Sequence, residues 1–209
     1  MTPVDAPLYP VNLVVAGRRC LVVGGGRVAA RKAAGLLACG ARVEVVAPAV
    51  GPEMRALDVT FEERPYKRGE VAGYRYAVAA TDDPAVNHAV FEDGEAAGVW
   101  VNSADDPANC SFTLPAVARR EPITVAVATG GSSPALAAWL RRRFEEELGP
   151  EYDVLLGLLA EARAAMQSSG RSTEDADWQR ALDSGMLEAI RDGRIEEARE
   201  RLQACLSSS

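Results

Sequence analysis

The sequence has very few of the residues that hold metal ions or form disulfides. Its 209 residues include four cysteines and one histidine. Cys20, Cys39, Cys110 and Cys205 form no CxxC pair, so we interpret them as core or surface thiols rather than as ligands or disulfide partners. With His88 as its one histidine, the chain is poorly suited to a His-based metal site, and we predict no metal-binding residues.

Long apolar runs and signal-peptide features are also missing. No run approaches the roughly 18 apolar residues that a membrane-spanning helix needs. The first ten residues carry an acid and prolines, without the basic and apolar regions of a signal peptide. We therefore expect a cytoplasmic protein without a membrane partner. The chain also has no long basic stripe with interleaved aromatics, which argues against nucleic-acid binding.

The negative charge is concentrated in the last third of the chain. The formal net charge is −7 at pH 7. Residues 145–209 contain 15 acidic and 7 basic residues, whereas residues 1–144 contain 15 acidic and 16 basic residues. The first two thirds are therefore nearly neutral and suited to receiving an anionic substrate.

Apolar runs alternate with helix-forming segments through the first half of the chain. Arg19–Gly24 predicts a buried strand, residues 27–39 a helix closed by Gly40, and residues 41–47 a second strand stopped by Pro48. Further strands are predicted at 59–63, 74–80 and 99–102, with a helix at 84–97. Strands that alternate with helices indicate an α/β fold with a doubly wound parallel sheet.

The alternation of predicted strands and helices ends after Asp106. Two strand-like segments, 111–120 and 123–129, are separated only by Glu121-Pro122, which predicts a hairpin. A helix is predicted over 135–148, and residues 151–206 are predicted to be helical with a polar break at 167–172. A small α+β region and a helical region therefore follow the α/β part.

A glycine-rich turn joins the first strand to the first helix. Gly24, Gly26 and Ala29 form a G-x-G-x-x-A pattern. Glycine lets a pyrophosphate approach the backbone, and the helix N-terminus offers free N–H groups. Because this pattern follows a strand, opens a helix and lies in a βαβ unit, it predicts a dinucleotide site. The alternative is a tight strand–helix turn without a ligand.

The acid that usually selects NAD is missing from its expected place. It would end the second strand and bind the ribose hydroxyls. This strand ends in Pro48 and Ala49, and Glu44 lies too early, in mid-strand. No arginine follows the strand to receive a 2′-phosphate, so NADP is not favoured either. We expect the ribose contact to come from the backbone near Pro48 and Ala49.

A second segment with candidate catalytic residues is NSADDP, residues 102–107. It follows the fifth strand, at the edge of the sheet where ligands bind in open α/β folds. A carboxylate there can accept a proton from a substrate that is being oxidised. The alternative is that Asp105 or Asp106 caps a turn before Pro107.

A third segment, TGGSSP at residues 129–134, precedes a helix. Small residues, hydroxyls and a helix N-terminus together predict an anion site formed by Gly130, Gly131, Ser132 and Ser133. The alternative is ordinary serine capping with proline at the helix start.

These segments occur in the order found in one known family. The shared segments are YPVNL (9–13), VVGGGRVAARK (22–32), AATDD with Asn87 beyond it, NSADDP, SFTLPA and TGGSSP. The chain resembles the precorrin-2 dehydrogenase and sirohydrochlorin ferrochelatase family, the N-terminal module of siroheme synthases. The resemblance covers residues 8–148 strongly and the helical tail weakly.

The resemblance implies an activity and an organisation. Members oxidise precorrin-2 to sirohydrochlorin with NAD in siroheme biosynthesis, and many also insert Fe²⁺ into the product; the sequence does not distinguish Fe²⁺ from Co²⁺. Members are homodimers with a Rossmann-type NAD-binding domain, expected here at 1–112, a dimerisation region at 113–149 and a helical domain at 150–209. An alternative of another class is a non-catalytic NAD-binding sensor, which would need no base at Asp105.

The resemblance also implies roles for particular residues. The catalytic aspartate of the family matches Asp105. Predicted cofactor contacts, in addition to Gly24 and Gly26, are Arg27, Val28, Pro48, Ala49, Thr81 and Asp82. Residues 130–133 are the predicted substrate contacts.

Overall fold

The computed structural model describes residues 7–104, 106–174 and 176–207. Its contacts divide the chain into two units. The first contains the chain through Ala116 together with Ala128–Ala137, and the second contains Val117–Val127 and the chain from Ala138 onward. The division into domains at 1–112, 113–149 and 150–209 stays a prediction.

The first unit is built on a five-stranded parallel sheet. Its strands are β1 (Arg19–Val23), β2 (Arg42–Ala47), β3 (Thr60–Glu63), β4 (Tyr76–Ala79) and β5 (Trp100–Ser103). They lie in the order β3-β2-β1-β4-β5, and every pair is parallel. This arrangement confirms the predicted doubly wound α/β fold.

The central strands are apolar because both faces of the sheet are covered. Successive side chains of a strand point to opposite faces. Cys20 and Val22 accordingly belong to one buried cluster, and Leu21 and Val23 to another. The first cluster contains Ala33 of α1 (Arg27–Ala38), and the second contains Val90 of the helix that follows β4, so the sheet is packed on both sides.

Two more helices complete the α/β part. α2 (Pro52–Arg55) has only four residues, too few to give a periodic pattern in the sequence. α3 (Pro84–Ala97) begins where the Asp83 carboxylate accepts the Ala85 N–H at 2.9 Å. It ends at Gly98, which has a left-handed φ of 66°.

The predicted hairpin is present, but its first strand is shorter than expected. β6 (Ala116–Arg120) and β7 (Ile123–Val127) form a two-stranded sheet. The strand does not begin at Ser111, because residues 110–112 bond to β5 instead. The Ser111 N–H donates to the Val101 carbonyl at 2.8 Å, and the Asn102 amide donates to the Phe112 carbonyl at 3.1 Å.

Helices make up most of the second unit. α4 (Pro134–Glu147) leads into α5 (Glu151–Ser168), α6 (Trp178–Leu182), α7 (Met186–Arg191) and α8 (Ile195–Ser207). Apolar side chains of α5 to α8, including Leu158, Met186 and Leu202, form one buried cluster. Of the helices that the structure describes, none has the length and apolarity needed to span a membrane.

The packing of α3 on β5 leaves no room for a side chain at Gly94. A Cβ there would lie 2.3 Å from Cγ2 of buried Val101 and 3.0 Å from the Val99 carbonyl oxygen. We expect Gly94→Ala to lower the free energy of unfolding by about 1–3 kcal/mol, because the stiff Val101 side chain must move. Gly35→Ala is the matched control, since a Cβ at Gly35 in α1 meets nothing within 4 Å.

Chemical denaturation of both variants tests this expectation. Gly35→Ala should raise the free energy of unfolding by up to about 1 kcal/mol, because alanine is the better helix former. If Gly94→Ala were as stable as Gly35→Ala, tight packing between α3 and β5 would be ruled out.

Candidate functional site

The turn between β1 and α1 is packed against the ends of two other strands. Gly24 has φ of 128°, and a Cβ there would lie 2.2 Å from the Ala80 carbonyl oxygen after β4. A Cβ at Gly25 would lie 2.0 Å from the Ala49 carbonyl oxygen after β2. Both glycines are therefore required by the fold itself, whether or not a ligand binds.

Gly26 differs from its two neighbours. A Cβ there would meet nothing within 4 Å, and its φ of −82° suits any residue. Gly26 is the N-cap of α1, and with no side chain it provides no capping hydrogen bond to the first turn. The first-turn N–H groups are thus left to a ligand, and the helix dipole favours an anionic one. This open position fits the pyrophosphate of a dinucleotide.

The predicted cofactor contacts meet at this edge of the sheet. Val23 pairs with Val46 of β2 and with Ala79 of β4, so Pro48, Ala49, Thr81 and Asp82 follow strands that end beside the glycine turn. Arg27 and Val28 form the exposed first turn of α1. All of these residues therefore lie around the point where parallel strands end and where α/β folds bind ligands.

The segment after β4 is held by a buried amide. Asn87 Oδ1 accepts hydrogen bonds from the Thr81 N–H at 3.1 Å and from the Thr81 hydroxyl at 2.8 Å. Its Nδ2 donates to the Thr81 carbonyl at 3.0 Å. The Thr81 side chain is thus engaged in shaping the turn, whereas the Asp82 side chain is exposed.

Glu44 is held in place by two side chains that flank it. Its carboxylate accepts bonds from the Arg19 guanidinium at 2.7 and 3.0 Å and from the Tyr74 hydroxyl at 2.7 Å. The bond from Arg19 holds the pKa of the carboxyl below its usual range. Burial, and then the bond to Glu44, raises the pKa of Tyr74 to about 12. Glu44 is therefore not available to bind a ribose.

The NSADDP loop follows β5, and Asp105 itself lies outside the described residues. The buried Cys110 thiol forms hydrogen bonds with the residues on either side of Asp105. Its Sγ accepts the Ser103 N–H at 3.2 Å and lies 3.3 Å from the carbonyl oxygens of Ser103 and Asp106. Burial raises the pKa of Cys110, so the thiol stays protonated and holds the loop without reacting.

A second chain of contacts holds Asp106. The Asn109 amide donates to Asp106 Oδ2 at 2.6 Å, and Asn109 Oδ1 lies 2.7 Å from Nδ1 of His88 on α3. The Asp106 carboxylate is thus engaged within its own loop. The single histidine therefore takes part in supporting the loop.

A small pocket of about 180 Å³ opens beside this loop. Lys32, Asn102 and Ser103 are among the residues that line it. Lys32 Nζ lies 3.4 Å from Asn102 Oδ1. Within the described ranges, the Ser103 hydroxyl is buried and has no hydrogen-bond partner, which is unusual in a folded protein. No local pattern in the sequence singles out Lys32, because the packing of α1 brings it to Asn102.

The TGGSSP segment forms a turn before α4. Gly130 and Gly131 both have left-handed φ values, of 59° and 79°. The Ser133 N–H donates to the Thr129 hydroxyl at 3.2 Å, and the Ser133 hydroxyl accepts the Leu136 N–H at 3.2 Å. Ser133 thus caps the helix, while Ser132 is exposed. Binding of substrate by residues 130–133 stays a prediction.

Family models match two segments of the chain. Residues 11–116 match a family described as putative NAD(P)-binding, and this segment covers the whole parallel sheet. Residues 120–147 match the central region of sirohaem biosynthesis proteins. The first match spans more than half of the chain and contains the glycine turn and the NSADDP loop.

Whole-chain comparisons point to the same group of proteins. The siroheme synthase of Nitrosococcus oceani is 36% identical over 203 residues, which are 94% of this chain and 43% of that protein. The siroheme synthase of Chromobacterium violaceum is 38% identical over 201 residues, 93% of this chain and 43% of that protein. The chain therefore spans less than half the length of these relatives.

A solved structure of SirC, a precorrin-2 dehydrogenase, has a similar fold along its whole length. The TM-score is 0.66 at 26% sequence identity, and the match covers 95% of this chain and 98% of that one. These findings confirm the resemblance seen in the sequence: the chain belongs to the putative NAD(P)-binding family found in sirohaem biosynthesis proteins.

Proposed function

We propose that this protein oxidises precorrin-2 to sirohydrochlorin with NAD in siroheme biosynthesis, in the cytoplasm. The observation that carries the proposal is the open position at Gly26, where a Cβ would meet nothing within 4 Å. The aspartates of the NSADDP loop after β5 are the proposed source of the catalytic carboxylate. The similarity to siroheme synthases and to SirC supports the choice of substrate. Insertion of Fe²⁺ or Co²⁺ into the product is a second activity that we propose to test.

In this proposal the first turn of α1 and Gly26 hold the pyrophosphate. Arg27 and Val28 flank it, and the backbone at Pro48 and Ala49 lies on the ribose side. Bound NAD supplies the hydride acceptor. Asp105 accepts the proton that the substrate loses, and Cys110, Asn102 and Asn109 keep its loop in place. Residues 130–133 are proposed to bind the substrate.

Gly26→Ser separates cofactor binding from folding. A serine fits the extended backbone at the N-cap and can cap α1, so the free energy of unfolding should be unchanged or higher. Its side chain would occupy the place of the pyrophosphate, and we expect NAD binding to weaken about tenfold or more. Calorimetric titration with NAD measures the effect.

Gly35→Ser is the matched control, because it makes the same change later in α1, where a Cβ also meets nothing. It should bind NAD like the unchanged protein. Equal affinities for the two serine variants would rule out the glycine turn as the pyrophosphate site.

The proposed reaction is tested anaerobically with enzymatically generated precorrin-2. NADH should appear together with sirohydrochlorin. Asp105→Asn should lower kcat by about 10²–10⁴, because the proton acceptor is lost, and should leave NAD affinity unchanged. Added Fe²⁺ or Co²⁺ then reports metal insertion through a further change in absorbance, which the variant should also lose.

Asp106→Asn is the control for this loop, since an asparagine oxygen can still accept the bond from Asn109. Full activity of Asp105→Asn would remove that residue from the mechanism. NAD binding by the unchanged protein without NADH formation would favour the sensor instead.

We propose further that two copies of the chain associate through α4. Only Ala137 of this helix is buried, whereas Leu136, Trp139 and Phe144 are exposed by 47%, 45% and 39%. Several large apolar side chains exposed on one helix are typical of a protein–protein interface.

Light scattering should accordingly give twice the 22.2 kDa mass of one chain. The double variant Leu136→Glu/Trp139→Glu should weaken association, since it places charge on the proposed interface. Leu182→Glu, at a leucine of α6 that is exposed by 39%, should not weaken association. A monomeric mass for the unchanged protein would refute the dimer.

A further inference from the structure

Glu53 is the first charged residue after Glu44 in the sequence, and it lies in the first turn of α2. The backbone brings it to the glycine turn, because the Gly51 N–H donates to the Gly25 carbonyl at 2.9 Å. A Cβ on Gly51 would lie 3.6 Å from Glu53 Oε2. The carboxylate is thus placed close to the loop that joins β2 to α2, and this loop packs against the dinucleotide turn.

The carboxylate also faces Arg27, the residue that follows Gly26. Glu53 Oε1 and Arg27 Nε are 3.8 Å apart, and both side chains are largely exposed. They line, with Arg31 and Val28, a groove of about 650 Å³ between α1 and α2. An exposed pair at this distance contributes little to folding. Folding stability therefore does not explain why this ion pair lies on the groove.

Dinucleotide-binding folds place an acid near the end of β2 to hold the ribose hydroxyls and to exclude a 2′-phosphate. Glu44 lies in mid-strand, before that point, and its carboxylate is hydrogen-bonded to Arg19 and Tyr74. We propose that Glu53 takes this role and makes the site select NAD over NADP. The inference rests on the dinucleotide binding that is part of the proposed function, and adds the residue that chooses between the two cofactors.

The physical basis is charge. A 2′-phosphate beside Glu53 would meet a carboxylate and would have to compete with it for Arg27. The ribose hydroxyls of NAD, in contrast, can donate hydrogen bonds to the same carboxylate. Without the carboxylate, Arg27 becomes a cation facing the groove and attracts the phosphate of NADP.

Calorimetric titration of the full chain with NAD and, separately, with NADP tests the proposal. The unchanged protein should bind NAD about tenfold or more tightly than NADP, and Glu53→Gln should lower that ratio by about tenfold, or 1.4 kcal/mol. Adding Arg27→Gln to Glu53→Gln should remove the gain in NADP affinity. Glu161→Gln is the control, because it removes one carboxylate paired with Arg199 on other helices.

An unchanged affinity ratio in Glu53→Gln, with both cofactors still binding, would overturn the proposal, as would tighter binding of NADP than of NAD by the unchanged protein. Circular dichroism checks that each variant is folded. Because the titrations contain no precorrin-2, a failure of the proposed oxidation would leave the expected affinity ratio intact, so the two failures are distinguishable.

Discussion

The candidate site depends on the close approach of three backbone segments at one edge of the parallel sheet. The turn after β1 touches the segment after β4 at Gly24 and the segment after β2 at Gly25. Neither contact leaves room for a Cβ, so the backbone itself brings the three strand ends together. The turn is thereby held in one shape before any ligand binds, which avoids the cost of ordering it on binding.

Gly26 forgoes a stabilising cap on α1, which our proposal explains by cofactor binding. A serine, aspartate or asparagine at the N-cap would stabilise α1, and the structure has space for one. Glycine instead leaves the N–H groups of the first turn to an incoming anion. Packing therefore requires the first two of the three consecutive glycines, whereas in our proposal the third leaves space for the pyrophosphate.

Side-chain hydrogen bonds support the loop after β5. A protonated thiol, two side-chain amides and a histidine ring hold its backbone and the Asp106 carboxylate. The acidic tail, meanwhile, is largely paired within its own unit: Arg191 bonds to Glu147 and Glu151, and Arg199 bonds to Glu161.

The sequence by itself determined the alternation of strands and helices, the glycine turn and the hairpin at Glu121-Pro122, because each follows from hydrophobic period or turn chemistry within a short segment. It also placed the predicted cofactor contacts at one edge of the sheet, since parallel strands end there together. The sequence did not predict the four-residue α2, because so short a helix shows no hydrophobic periodicity.

Only the tertiary structure decided which side chains are already hydrogen-bonded to other parts of the chain. Glu44 is 25 residues from Arg19 and 30 from Tyr74, and Lys32 is 70 from Asn102. Residues 110–112 likewise leave the predicted hairpin because β5 offers them partners. Hydrogen bonds between such distant residues leave no local pattern in the sequence. Only the folded chain therefore shows that the Glu53 carboxylate faces Arg27 and that Cys110 supports the loop after β5.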